Sequence, residues 1–184
     1  MMQIKVNYTF EVLLRLLKKE MHGRELAKEL KTSLTRVQSV LRELRQANAL
    51  DYKVEGKNHV YFIKNNILAK AYVLNAENYK LAKLLKKYGM LEPLFIEITR
   101  KVPGKMIMLF GSYAKFMPKE DSDIGIYIYD LDDKTKKELA KLHDKLSIKT
   151  GNFNKEDGLI QEIIKNHVIV QGAEQYYEKL KLFR

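Results

Sequence analysis

The sequence lacks cysteine and tryptophan altogether, and only three of its 184 residues are proline. Without cysteine, disulfides, thiol nucleophiles and cysteine-based zinc sites are excluded. No apolar stretch approaches the roughly 18 residues that a membrane span needs, and we see no signal or transit segment. The four histidines are scattered, with no pair spaced to place two imidazoles on one helical face for a metal. These absences favour a cytoplasmic protein with no membrane partner.

Positive charge is in excess along the chain. Lysine and arginine number 34 against 23 for aspartate and glutamate, which gives a formal net charge of +11 at pH 7. A surface of this sign favours a polyanionic partner such as nucleic acid over acidic or neutral partners. The hydrophobic fraction of 46% is sufficient for one sizeable core or two small ones, so we expect one or two compact domains.

The first third of the chain reads as three helices followed by a β-hairpin. Apolar residues at helical spacing mark the inner faces of these helices. Ser33 stands where the third helix begins, and its hydroxyl can accept a hydrogen bond from an unpaired backbone amide. A glycine and an asparagine between two β-rich runs suit a tight reversal. The predicted elements are helices at 9–21, 24–30 and 34–47 and strands at 50–54 and 59–63.

The segment LKTSLTRVQSVL, residues 30–41, carries a family resemblance. It is similar to the turn and recognition helix of bacterial-type and archaeal regulators in the winged helix-turn-helix DNA-binding superfamily. The resemblance covers about residues 9–64. It implies a recognition helix that enters the major groove of double-stranded DNA, and a wing, formed by the hairpin, that contacts the DNA backbone.

The exposed side of the third helix has the chemistry of such an interface independently of that resemblance. It carries hydroxyl, amide and guanidinium groups, which are the groups that contact base edges and phosphates. Polar and cationic residues of the hairpin can reach phosphate or a minor groove. The alternative is an ordinary solvated helix in a protein-interaction module, because many winged helices bind proteins. The predicted DNA-binding residues are Ser33, Thr35, Arg36, Gln38, Ser39, Arg42, Lys53, Lys57 and Asn58.

The second half of the chain is predicted to mix helices and strands. A long helix at 67–88 has leucines along one side, and we predict that it links two domains and supports a homodimer. The predicted domains are a winged helix-turn-helix at 1–66, a helical linker at 67–90 and an α/β domain at 91–184. After a helix that ends at Pro103, the predicted strands are 106–110, 124–129, 147–153 and 168–171, and the helices are 133–146, 156–167 and 173–182.

Two motifs in the second half, LFGSYAK at 109–115 and DSDIGIY at 121–127, carry a second resemblance. They resemble the minimal nucleotidyltransferase family of the DNA polymerase beta superfamily, over about residues 91–182. In that family a Gly-Ser turn holds a triphosphate, and an Asp-x-Asp pair on the next strand holds magnesium ions. The resemblance implies that Gly111, Ser112 and Asp123 are the nucleotide-binding residues.

Most of the acidic ligands of that family are missing here. The register places the first aspartate at Asp123 and the second position at Gly125, while the run 147–153 contains no acid. A lone carboxylate near several lysines does not balance the charge of two divalent cations. We therefore predict no catalytic residue and no metal site. We expect no cofactor beyond weak binding of a magnesium nucleotide at Gly111 and Ser112.

The residues of these two motifs also suit different roles. A shifted register pairs Asp121 with Asp123, but it places Asp121 in the loop before the strand. Gly111 also suits a tight turn, Ser112 a helix cap, and Asp123 a cap or a salt bridge. The sequence reads the same whether Gly125 is the natural residue or a replacement of aspartate.

Two functions from different classes follow. The first is a DNA-binding protein, a transcriptional regulator whose degenerate nucleotidyltransferase-like half serves for dimerisation, nucleotide sensing or partner contact. The second is an active nucleotidyltransferase that moves a nucleoside monophosphate onto protein, RNA or a small molecule. Both share one predicted fold class, α+β, with a winged helix-turn-helix, a helical linker and a nucleotidyltransferase-like α/β domain.

Overall fold

The computed structural model describes residues 6–183. It is an α+β structure with two sheets and two separate hydrophobic cores. The helices are α1 Tyr8–Leu16, α2 Gly23–Glu29, α3 Leu34–Gln46, α4 Ile67–Lys87, α5 Leu91–Lys101, α6 Asp133–Ala140, α7 Gly158–Lys165 and α8 Ala173–Lys179. The strands are β1 Met21–His22, β2 Leu50–Glu55, β3 Asn58–Ile63, β4 Ile107–Phe110, β5 Ile124–Tyr129, β6 Leu146–Gly151 and β7 His167–Gln171.

The first compact unit comprises the described residues up to Tyr79 together with residues 181–183. Its three strands form an antiparallel sheet in the order β1-β3-β2, and α1 and α3 contribute much of its core. Leu13, Leu26 and Leu41 are almost completely buried there, because each lies on the apolar face of its helix. The order of three helices and a hairpin is that of a winged helix-turn-helix, as the sequence predicts.

The first helix is shorter than the predicted 9–21. α1 ends at Leu16, and Met21 instead pairs with Tyr61 of β3. This pairing leaves Met21 only 1% exposed, so the strand buries the side chain that the helical pattern had included. Pairing between distant parts of the chain therefore overrides the local helical pattern at this point.

The second unit, Lys80–Leu180, contains a four-stranded sheet in the order β6-β5-β4-β7. β5 and β6 run parallel, and the other neighbours run antiparallel. Because side chains alternate along a strand, Leu109 and Ile126 face a core shared with α5, while Tyr127 points to the opposite face. Phe153 contacts Tyr127 and the α8 residue Tyr176 through edge-on ring pairs. Both faces of the sheet are therefore covered.

Three predicted helices of the second unit are also too long. The prediction at 133–146 ends at Ala140, because Leu146 pairs with Ile124 in the parallel ladder. The prediction at 156–167 ends at Lys165, because His167 pairs with Phe110. The last helix ends at Lys179 instead of residue 182, and the strand predicted at 147–153 corresponds to β6, which is Leu146–Gly151 and ends two residues earlier.

α4 does not form a separate linker. Ala69 and Ala76 are buried in the core of the first unit, whereas Leu84 is buried in the core of the second. The division between the units therefore falls inside α4, after Tyr79, and differs from the predicted linker at 67–90. None of the helices in residues 6–183 combines the length and the apolar character that a bilayer crossing requires.

Candidate functional site

The outer face of α3 is the first candidate site. Ser33 caps the helix, because its Oγ accepts a hydrogen bond from the backbone N–H of Arg36 at 3.3 Å. Val37, Leu41 and Leu44 are buried, which fixes the opposite side of the helix towards solvent. The residues that this arrangement exposes include Thr35, Arg36, Gln38, Ser39 and Arg42.

Aromatic rings position two arginines at the sides of this face. The Arg36 Cζ lies 5.0 Å from the centre of the Tyr8 ring, and the Arg45 Cζ lies 4.3 Å from the centre of the Tyr52 ring. A guanidinium over an aromatic ring is attracted by the negative face of the ring. Arg45 was not among the predicted DNA-binding residues. Its exposure follows from helical spacing, but its contact with Tyr52 depends on how the hairpin packs.

Ser39 and Glu43 form a pair on the same face. The Ser39 hydroxyl donates a hydrogen bond to Oε1 of Glu43 at 3.2 Å. Both residues are exposed, and the carboxylate places one negative charge on an otherwise cationic surface. Ser39 and Glu43 are one helical turn apart. A ligand that binds the Ser39 hydroxyl must therefore compete with the Glu43 carboxylate.

The wing places Lys57 and Asn58 at the exposed tip between β2 and β3. Behind the tip, His59 stacks on Tyr52 with ring centres 3.9 Å apart and ring planes 24° from parallel. Because Tyr52 also contacts Arg45, the hairpin and the end of α3 are joined through one aromatic residue. The two predicted tip residues therefore lie on a hairpin that is packed against α3.

A groove of about 480 Å³ lies between the start of α2, the outer side of α3 and the wing. Arg24 and Lys57 bring positive charge to its walls, and Asn58 adds an amide. Glu25 also lines it, but its carboxylate forms an ion pair with Lys19, and that hydrogen bond lowers the pKa of Glu25. The groove thus offers cationic and polar groups to an occupant.

Lys53 is placed differently from the other predicted residues. Its Nζ lies 2.6 Å from a carboxylate oxygen of Glu20 and 3.1 Å from one of Glu55. These hydrogen bonds, first that of Glu20 and then that of Glu55, raise the pKa of Lys53. Two carboxylates already balance the positive charge of Lys53. We therefore do not expect Lys53 to contact the phosphates of a DNA ligand.

The Gly-Ser turn of the second unit is the second candidate site. Gly111 has φ +77°, a left-handed conformation that favours glycine, and it directly follows β4. The segment after Ser112 forms turns rather than a helix, with the N–H of Met117 donating to the carbonyl of Ser112 at 3.0 Å. Ser112 therefore does not cap an α-helix. Nearby, Nζ of Lys115 pairs with Glu162 at 3.2 Å.

The position of the missing carboxylate is occupied by an aromatic ring. Gly125 pairs with Phe110 across β4 and β5, and a Cβ on Gly125 would lie 3.0 Å from the ring atom Cζ of Phe110. Asp123 is exposed just before β5. The register sets Ser147 and Lys149 of β6 beside β5 on this face.

The donor set of this site does not fit a pair of magnesium ions. Magnesium takes oxygen ligands and is usually held by carboxylates, whereas the strand next to β5 offers a hydroxyl and an ammonium here. Within residues 6–183, no three histidine, aspartate or glutamate side chains are grouped so that they could hold a metal ion. The structure brings Gly111, Ser112 and Asp123 to neighbouring strand ends, without the second and third acids.

No protein-family model and no curated protein matches the sequence. Among solved structures, the adhesin competence repressor AdcR of Streptococcus pyogenes is 18% identical over 48% of this chain and 66% of its own, with a TM-score of 0.41. A toxin-antitoxin structure with AMP-PNP is 25% identical over 57% of this chain and 82% of its own, with a TM-score of 0.36. A mutant of the toxin-antitoxin MntA-HpeT is 24% identical over the same shares, also with a TM-score of 0.36. Each of these likenesses covers only part of the chain.

Proposed function

We propose that the chain is a DNA-binding protein of the transcriptional-regulator type whose second unit is not catalytic. The observation that carries the proposal is the outer face of α3. Its arginines are exposed, its apolar side is buried, and two aromatic rings hold guanidiniums at its sides. An α-helix with such a face fits the major groove of duplex DNA.

The electrostatics support a polyanionic partner. The net charge of +11 favours association with phosphates over association with an acidic or neutral surface of low charge density. On α3, Arg36, Arg42 and Arg45 outnumber the single acid, Glu43. This excess of guanidinium groups on one helix suits a partner that presents many phosphates.

The second unit supports a binding role rather than phosphoryl chemistry. Two-metal transfer needs several carboxylates that clamp the ions on both sides of the reacting phosphorus. Asp123 is followed two residues later by Gly125, which lies against the Phe110 ring and offers no carboxylate, and Lys115 is paired with Glu162. Weak nucleotide binding at Gly111 and Ser112 stays a prediction for this unit.

Binding of labelled duplex DNA by the full chain, measured by fluorescence anisotropy over a series of salt concentrations, tests the proposal. We expect the affinity to fall steeply with salt, because each neutralised phosphate releases counterions. Arg36→Ala and Arg42→Ala are each expected to weaken binding. The charge-matched control is Arg100→Ala, an exposed arginine on α5 whose loss should leave the affinity nearly unchanged. Equal affinities for all four proteins would overturn the proposal.

A second titration addresses catalysis. The full chain is incubated with magnesium and a labelled nucleoside triphosphate, with and without added protein, RNA and small-molecule acceptors, and label on each acceptor is then measured. We expect no transfer above that of Asp123→Ala. A magnesium-dependent transfer that is lost in Asp123→Ala would show an active nucleotidyltransferase instead.

A further inference from the structure

The three exposed arginines of α3 differ in how they are held. Arg36 lies over the Tyr8 ring of α1, and Arg45 lies over the Tyr52 ring of β2. Within residues 6–183, no hydrogen bond, ion pair or ring contact engages the guanidinium of Arg42. Two arginines are thus fixed in advance, while the third extends into solvent.

Their positions around α3 also differ. At about 100° per residue, Arg36 and Arg45 point in directions roughly 180° apart, and they are separated by about 13 Å along the helix axis. Arg42 lies between these two directions, close to the centre of the exposed arc. The major groove is about 12 Å wide, so a helix lying in it would bring the outer arginines towards its two walls and Arg42 towards its floor.

On this basis, which rests on the proposed function, we propose that Arg42 reads base edges while Arg36 and Arg45 contact the phosphates of the two strands. The groove walls carry the phosphates and the groove floor displays the bases. The guanidinium fork of Arg42 matches the two acceptors of guanine, whereas a contact with phosphate needs chiefly the positive charge.

The groove beside the wing fits one of the two sugar-phosphate strands. It lies on the side of α3 that carries Gln38, and its walls also bear Arg24 and Lys57. A sugar-phosphate strand lying there would pass between α3 and the wing, on the side of the helix to which Arg45 also points. Its phosphates then meet cations on both sides, while Glu25 is neutralised by Lys19.

Arginine-to-lysine substitutions at the three positions separate the two roles, because lysine keeps the charge and loses the fork. The probes are a duplex enriched by the full chain from a random-sequence pool and an alternating adenine-thymine duplex, which has no guanine. Because adenine does not offer the two acceptors of guanine, we expect Arg42→Lys to weaken binding to the enriched duplex by roughly 5- to 150-fold and to change the affinity for the adenine-thymine duplex little. Arg36→Lys and Arg45→Lys should leave the ratio of the two affinities unchanged.

Arginine-to-glutamine substitutions provide the second readout. Arg36→Gln and Arg45→Gln should weaken binding to both duplexes by the same factor and reduce the salt slope by about 1 each. The division of roles is overturned if Arg42→Lys preserves the ratio, if Arg36→Lys or Arg45→Lys lowers it, or if no sequence is enriched although the chain binds duplex DNA. If the full chain binds neither of the two duplexes, the proposed function itself is overturned.

Discussion

At the scale of single residues, Tyr127 shows how burial sets the chemistry of a side chain. It is 1% exposed, and its hydroxyl donates a hydrogen bond to the carbonyl of Gly151 at 2.8 Å. Burial disfavours the charged phenolate and raises the pKa of Tyr127 to about 12. The folded protein therefore binds this proton more tightly than the unfolded chain does.

This raised pKa predicts a loss of stability at alkaline pH. The contribution is fully present below pH 10, the ordinary pKa of tyrosine, and is lost as the pH rises towards 12. In urea denaturation, the midpoint of the wild type should fall more steeply between about pH 10 and 11 than that of Tyr127→Phe. Tyr88→Phe is the control, because it removes a half-buried hydroxyl of the same unit that does not act on the pKa of Tyr127. Parallel pH profiles for the wild type and Tyr127→Phe would contradict the assignment.

Residues whose roles depend on one helix were predictable from the sequence. The exposed set on α3 and the cap at Ser33 follow from helical spacing and hydroxyl chemistry. Residues whose partners lie far away in the sequence were not predictable. Lys53 meets Glu20, and Arg45 meets Tyr52, only because the hairpin folds back onto the helices.

At the scale of elements, type and order were predictable while several ends were not. The apolar patterns indicate each of the longer helices and strands. The ends fail at Met21, Leu146 and His167, where the side chains fit a helical pattern but the backbone pairs with a distant strand. Sequence spacing contains no information about such pairing, so the three helices that include these residues were predicted too long.

The start of α8 offers a test at this scale. Gly172 has φ +81°, and a Cβ there would lie 2.8 Å from the backbone Cα of Met106. Gly104 has a similar φ of +73° but has open space where its Cβ would stand. Gly104→Ala should cost about 1 kcal/mol for the left-handed conformation. Gly172→Ala should cost about 3 kcal/mol, because the clash with backbone adds to that strain.

Urea denaturation followed by a probe in the second unit measures both variants of this pair. The difference between the two costs isolates the close approach of Gly172 to Met106, since both variants carry the same change and a similar φ. Equal losses of stability would show that the backbone of Met106 moves aside at little cost.

At the scale of the whole molecule, the sequence predicts the α+β class and two regions of different character. The division within α4 was not predictable, because its small residues and its leucines follow one continuous helical pattern. Only the structure shows that Ala69 and Ala76 belong to one core while Leu84 belongs to the other. The sequence alone predicts that few acidic residues surround Asp123. It does not predict that the Phe110 ring packs against Gly125.

The homodimer stays a prediction, and the structure changes the surface on which it can rest. Leu81, Leu84 and Leu85, which suggested self-association, pack into the core of the second unit. At the start of α4, Ile67 is 87% exposed and Leu68 is 46% exposed. We expect a dimer by light scattering, and we expect the double variant Ile67→Ser with Leu68→Ser to be monomeric. The double variant Leu84→Ala with Leu85→Ala should unfold instead of dissociating, and a monomeric wild type would contradict the prediction.

The stacking of Arg36 on Tyr8 and of Arg45 on Tyr52 also has a kinetic consequence. Side chains that are already oriented need no rearrangement after the first encounter, so we expect diffusion and long-range attraction to govern the rate at which the proposed complex with DNA forms. A lower salt concentration should then raise the rate constant for association with duplex DNA. Removal of the Tyr8 ring or the Tyr52 ring should chiefly raise the dissociation rate constant of the complex and so shorten its lifetime.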